Sequence, residues 1–349
     1  MDKFLIVRFG SIGNTLVSLP AVRAIKNTYP YASISMIVSP HIDELLSDIK
    51  WIDELIVYDM YERHKSLYAY FNFIQQLRKR HFDVAIMFKR FLRSELIGFL
   101  SGAKKRIGFE TNGKSNFLTN SVPYIEGINI VKLNMMLLKP LGISSDDLSI
   151  NLSISNCNKS DIPSFIPELK PGSYKSYAVL HPGGKTVKGI GLNVYQYSKI
   201  IGILENQYDL LCFIIGDSSE YNTIKEIIKL TNQALTFPVI DISLKKLSCL
   251  IKHASIFIGN DSGPCHIADA VGTPGIIIYP PMYNLEEHIK KWKPLGDNYI
   301  AILPPKNCKT CERYPCNDNL KARCMEDIDI TSILHYTEQI LIRGKHGRE

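Results

Sequence analysis

Short apolar runs alternate with longer amphipathic stretches along the chain. Phe4–Val7, Ser33–Val38, Glu54–Tyr58 and Asp83–Phe88 have the length and β-branched content of buried strands. Residues 15–29 place Leu16, Leu19, Val22 and Ile25 near helical spacing, and 40–48, 64–80 and 91–101 also read as helices. A second series follows, with strands at Tyr177–Leu180, Leu210–Ile215, Val239–Asp241, Ile256–Ile258 and Gly275–Tyr279, and a last helix over 333–343. Strands alternating with helices predict parallel sheets with crossover helices, an α/β class. Between the series, residues 151–175 are rich in Ser, Asn, Pro and Lys and read as a connection. The expected organisation is two parallel-sheet domains, 1–165 and 166–330, with 331–349 as a C-terminal helix and tail. No internal repeat or low-complexity tract interrupts it.

A length of 349 residues fits two cores better than one. Apolar content of 45% and charged content of 21% are those of an ordinary globular protein. No run approaches the roughly 20 apolar residues of a membrane span. The apolar core of residues 1–8 is too short for a signal peptide, so a cytoplasmic protein is expected. The net charge of +7 favours anionic partners.

The chemistry concentrates in 256–279. Ile256–Ile258 is a strand, Gly259–Pro264 is a cluster of turn formers, and a helix follows until Gly272-Thr-Pro. A polar loop opening a helix presents free N–H groups and the positive end of the helix dipole to an anion. Asp261 or Ser262 can cap this helix, and His266 falls in its first turn. An ordinary well-capped crossover explains the Gly, Ser and Pro; the crowding of Asp, Ser and His favours a phosphate site. In open α/β sheets ligands sit beyond the carboxyl ends of strands. Loops 181–188, 216–220 and 259–266 satisfy that rule. The N-terminal loop 8–14 is G-x-x-G and not the dinucleotide fingerprint.

These pieces, Ile6–Gly13 with Leu19-Pro-Ala, His181-Pro-Gly183 with Lys188, Gly216 with Glu220, and Asp261–Ala268, occur in one order along the chain. Together they resemble glycosyltransferase family 9, the bacterial heptosyltransferases of lipopolysaccharide inner-core synthesis. The resemblance implies a GT-B fold, two Rossmann-like domains facing across a cleft. It implies inverting, metal-independent transfer of heptose from an ADP-heptose donor to an acidic glycolipid at the cytoplasmic face of the inner membrane. Donor contacts would come from His181, Gly183, Lys188, Glu220, Asp261, Ser262, Gly263 and His266, with Lys188 and His266 facing the departing diphosphate. Acceptor contacts would come from Ser11, Gly13, Asn14, Arg63 and Lys65.

The chain departs from the family pattern twice. Where family members have the aspartate thought to take the acceptor's proton, this chain has Asn14. An amide has no useful basicity near neutral pH. Three readings stay open: another base such as His181, His266, Asp261 or the leaving phosphate; a binding protein with little turnover; or an Asn14 that only orients the hydroxyl. Second, Lys188 is followed by Gly-Ile-Gly-Leu-Asn-Val and not by the family's Trp and Pro, so the donor pocket is expected to differ.

From Arg78 to Arg106 basic residues far outnumber Asp83 and Glu95. They suit an acidic acceptor and a membrane surface, although solvated helix faces explain most of them. No nucleic-acid reader motif is present. The apolar residues of 91–100 are expected in the core. Of eight cysteines, Cys212 and Cys249 sit in apolar runs as buried small side chains, and Cys157 and Cys265 are scattered. Cys308, Cys311, Cys316 and Cys324 form a tail cluster that resembles a cysteine-rich end found in part of the family. Four thiols there suit a structural Zn or Fe, with reduced thiols or a redox disulfide as alternatives.

Overall fold

A computed structural model describes residues 2–110, 116–166, 169, 176–184, 189–231, 235–282, 284–296, 298–304 and 323–346. Two compact units form. One holds the chain up to Ser153 plus Lys290–Leu295; the other holds Ile154–Ile289 and the chain from Gly296 onward. The break therefore precedes the expected 165/166 boundary. Residues 154–166 belong with the second unit because Ile162 and Ile166 are buried there and Cys157 is bonded to Cys249. Cys249 is buried as expected, and its sulfur is bonded to Cys157. The 3-10 turn Lys159–Phe165 packs on the helix Leu244–Lys252 and sets the two Cα atoms 5.5 Å apart, within bonding reach. The C-terminal helix Ile330–His346 is not a separate part either: Ile333 and Ile340 enter the core of the second unit.

The first sheet contains β1 (Lys3–Val7), β2 (Ser33–Val38), β3 (Glu54–Val57), β4 (Val84–Met87), β5 (Lys105–Phe109) and β6 (Asn120–Val122), in the order β3-β2-β1-β4-β5-β6. The second contains β7 (Tyr177–His181), β8 (Leu211–Gly216), β9 (Thr236–Ile240), β10 (Ile256–Asn260), β11 (Gly275–Ile278) and β12 (Tyr299–Ile302), in the order β12-β11-β10-β7-β8-β9. Every pairing is parallel. Read from the other edge, the second sheet repeats the winding of the first, the doubly wound Rossmann order. Winding direction reverses between β1 and β4, and again between β7 and β10. Such switch points open a crevice at the carboxyl ends of the strands.

The edge strands β3 and β9 are only partly buried; most strands read from sequence are buried on both faces, where Ile256, Ile258, Ile276 and Ile278 pack at no exposure. Each such side chain contributes about 1.5–3 kcal/mol. The expected helix 15–29 is two helices, Ile12–Leu16 and Leu19–Thr28. Pro20 has no N–H to offer the Leu16 carbonyl, so the ladder breaks there, and the neighbouring Val17 carbonyl accepts from Asn134 Nδ2 at 2.9 Å. In the helix Leu92–Leu100, Ile97 enters the core as expected, but Phe91, Leu92 and Phe99 are exposed.

Candidate active site

In the second unit, polar side chains gather at the carboxyl ends of β7, β8 and β10. His181 closes β7, and its Nδ1 lies 2.9 Å from Ser262 Oγ. Its Nε2 lies 3.6 Å from Glu220 Oε2, which also accepts the Asp217 N–H at 3.1 Å. His181 and Glu220 are both buried. Two glycines make room for them. Gly183 has φ +58°, and a Cβ there would lie 2.5 Å from the His181 ring. A Cβ on Gly216 would lie 2.7 Å from Glu220 Oε2. The loops are thus moulded on the imidazole and the carboxylate.

The helix Gly263–Val271 begins beside them, with Ser262 at the N-cap position in an extended conformation. The Ser262 hydroxyl does not cap the helix; it donates to the Asn260 carbonyl and meets His181. Asp261 pairs with His288, Nε2 to Oδ2 at 2.7 Å. The helix start therefore has no cap from Ser262 and retains the donor character an anion needs. His266 is buried in the first turn. Burial lowers its pKa, Asp261 opposes that, and His288 adds to it. Burial thus favours the neutral imidazole of His266 over the cation. Asp261, Cys265 and His266 hold ligand-type atoms within 4.8 Å of one another. Internal partners already engage two of them: Asp261 takes His288, and Cys265 Sγ donates to the Ser262 carbonyl at 2.9 Å.

His288 lies far along the chain and sequence reasoning missed it. It offsets a carboxylate beside the proposed anion site. His288→Ala is expected to weaken ADP binding about three- to tenfold, because Asp261 is left more repulsive to phosphate. Isothermal titration with ADP at low and high salt checks this, and high salt should narrow the gap.

The first unit holds a cavity of about 540 Å³ at its own switch point. Asn14 and Arg8 form one wall, and Phe88, Lys89 and Arg90, following β4, form another. Tyr124, Lys291 and Trp292 complete much of the rest. Among the described residues, no acid lines it. Arg8 is buried, and burial pulls its pKa down to about 10. Its Nε donates to the Asn14 carbonyl at 2.6 Å, and Nη2 to Asn14 Oδ1 at 2.8 Å. Asn14 Nδ2 in turn donates to Ser11 Oγ at 2.8 Å. The amide is held at both ends, with one lone pair and one proton left over. Arg90 stacks on Tyr124, and Lys291 Nζ donates to the Tyr124 hydroxyl at 2.7 Å.

The structure thus gathers His181, Gly183, Glu220, Asp261, Ser262, Gly263 and His266 in one unit, and Ser11, Gly13 and Asn14 at the start of the helix Ile12–Leu16 in the other. Glu220, expected among the donor contacts, is buried against His181. Arg63 and Lys65 do not line the cavity; they are exposed on the loop after β3, an edge strand. Arg8, Lys89, Arg90 and Lys291 supply its positive charge. Lys188, Cys308, Cys311 and Cys316 lie outside the described residues. Cys324 is buried in the core of the second unit.

A family model described as glycosyltransferase family 9 (heptosyltransferase) matches residues 70–321. The chain is 25% identical over 347 residues to lipopolysaccharide heptosyltransferase 3 of Escherichia coli K12, covering 94% of this chain and 95% of that protein. The structure of E. coli ADP-heptose lipopolysaccharide heptosyltransferase II superposes with a TM-score of 0.78 at 17% identity, covering 98% of this chain and 99% of that one. The iron-containing dodecameric glycosyltransferase TibC of enterotoxigenic E. coli superposes with a TM-score of 0.57 at 14% identity, covering 97% and 76%. The fold shared with these structures is GT-B.

Proposed function

Because the chain belongs to glycosyltransferase family 9, we propose that it transfers a heptose from an ADP-linked donor to an acidic saccharide of a lipopolysaccharide core. The observation that carries this reading is the constellation of His181, Ser262 and His266 at the start of the helix Gly263–Val271. In an inverting transfer, the acceptor oxygen bonds to the anomeric carbon as the bond to the diphosphate breaks. Negative charge then grows on the leaving oxygens, and fixed donors aimed there lower the barrier. The helix start and the His266 N–H are such donors, and Lys188 joins them by resemblance to the family. The names of the relatives, heptosyltransferases and one ADP-heptose enzyme, support the donor.

On the acceptor side, the cavity beside Asn14 offers Arg8, Lys89, Arg90 and Lys291 to an anionic sugar. Asn14 orients the attacking hydroxyl through its remaining lone pair, and the hydroxyl proton ends on the departing ADP, directly or through water. We place the protein in the cytoplasm, beside the membrane that carries such an acceptor. Transfer needs no metal in this scheme, since the donors named above meet the diphosphate. The four tail cysteines are proposed as a structural Zn or Fe site, apart from the transfer chemistry; the related TibC is described as iron-containing.

Asn14 also favours a second reading, a protein that binds the nucleotide sugar but barely turns it over. One assay separates them. Purified protein with ADP-heptose and a deacylated core acceptor is expected to give the mass-shifted glycan, with EDTA present. Tight ADP binding without product at high enzyme concentration supports the second reading. Stronger competition by UDP than by ADP overturns the donor assignment in both.

A further inference from the structure

The carboxyl edge of the first sheet carries an apolar surface that the transfer chemistry does not use. The helix Leu67–Arg78 turns Phe73, Ile74 and Leu77 into the core. Its first turns present Leu67, Tyr68 and Phe71, which are 88%, 77% and 59% exposed. Leu67 and Phe71 lie one turn apart on a single face. The helix Leu92–Leu100 begins alongside: the Arg93 guanidinium lies 5.9 Å from the Tyr70 ring centroid. Leu92, one residue earlier, is 59% exposed. Single exposed apolar residues are ordinary, but large ones concentrated at two adjoining helix starts mark a contact surface.

Charge decides what the surface contacts. The loop leading into Leu67 carries exposed Arg63 and Lys65 against one exposed acid, Glu62. Lys89, exposed just before the second helix, lies 5.1 Å from the Phe91 ring centroid. A second copy of the same patch would bring these cations against their own kind. An anionic bilayer suits both features, because aromatic and aliphatic side chains enter the boundary between headgroups and acyl chains while Lys and Arg meet the phosphates. Among the described residues no helix is long and apolar enough to cross a membrane, so the contact is superficial.

We propose that the starts of the helices Leu67–Arg78 and Leu92–Leu100 form a docking surface for an anionic lipid bilayer. The proposal stands on the chemistry of this surface and needs no particular donor or acceptor, although Lys89 also lines the cavity beside Asn14. The full chain is expected to sediment with vesicles of equimolar phosphatidylglycerol and phosphatidylcholine, and not with phosphatidylcholine alone. Added salt should weaken binding. The double variant Leu67→Ser/Phe71→Ser removes apolar area without changing charge, and should lower vesicle affinity at least about tenfold. Both positions are exposed, so thermal unfolding and ADP affinity should match the unmodified protein. Three results overturn the proposal: no sedimentation with anionic vesicles, undiminished binding by the double variant, or a lipid-indifferent dimer that the double variant dissolves. Lipid binding without sugar transfer would count against the transferase reading and leave this one standing.

Discussion

Asn14→Asp is expected to raise turnover, by up to about 10²–10⁴-fold, with ADP affinity unchanged. The amide now bonded to Arg8 and Ser11 can orient a hydroxyl but cannot take its proton. A carboxylate of nearly the same shape would occupy the same space and supply the base. Arg8 sets a limit on the gain. It is buried, and its three contacts here are to the Asn14 carbonyl, Asn14 Oδ1 and the Phe88 carbonyl, none of them a carboxylate. Paired with Arg8, the new carboxylate would titrate below the usual range and be a weaker base, so the gain should fall near the lower end. The same pairing should stabilise the fold by about 1–3 kcal/mol, since a buried guanidinium gains its counter-charge. Steady-state kinetics and a denaturant titration measure the two effects. Unchanged or lost turnover would mean that no base is missing at this position.

Legibility followed how locally each feature is encoded. The strands buried on both faces were plain, because an apolar run of strand length needs no partner to be recognised. β5 was hidden because it opens with Lys105 and Arg106. Their charges are satisfied by carbonyls distant in sequence, Lys105 Nζ at Pro140 and Arg106 Nε at Phe117. β6 has three residues, and β12 is a half-exposed edge strand, so neither carries a strong period. The same contrast divides the sites. Asp261 through His266 sit in one strand–loop–helix segment, where turn chemistry and cap positions declare themselves. His288 and Lys291 act through Asp261 and Tyr124, more than 20 and 160 residues away respectively. Pairings of that kind have no local signature. The Lys291-Trp292-Lys293 cluster, with one of only two tryptophans, was the available hint.

His266→Ala is expected to cut turnover about 10²–10³-fold while changing ADP affinity far less. The leaving diphosphate carries its charge already when bound, but the oxygen released from the sugar gains charge only as the bond breaks. A donor aimed there acts mainly on the transition state, and burial strengthens it by excluding water. His266→Gln keeps an N–H donor and should recover part of the loss. Titration gives an independent readout. Burial holds the His266 pKa below the ordinary 6.5 in the folded protein, so the unfolded chain binds this proton more tightly. The stability it contributes is therefore present above 6.5 and is lost as pH falls through the lowered folded value. In His266→Ala that part of the acid destabilisation should vanish. A side chain that only fills the core would behave otherwise: turnover, ADP affinity and thermal stability would fall together, and Gln would restore none of them. That pattern, or turnover left near its original value, removes His266 from the transfer chemistry.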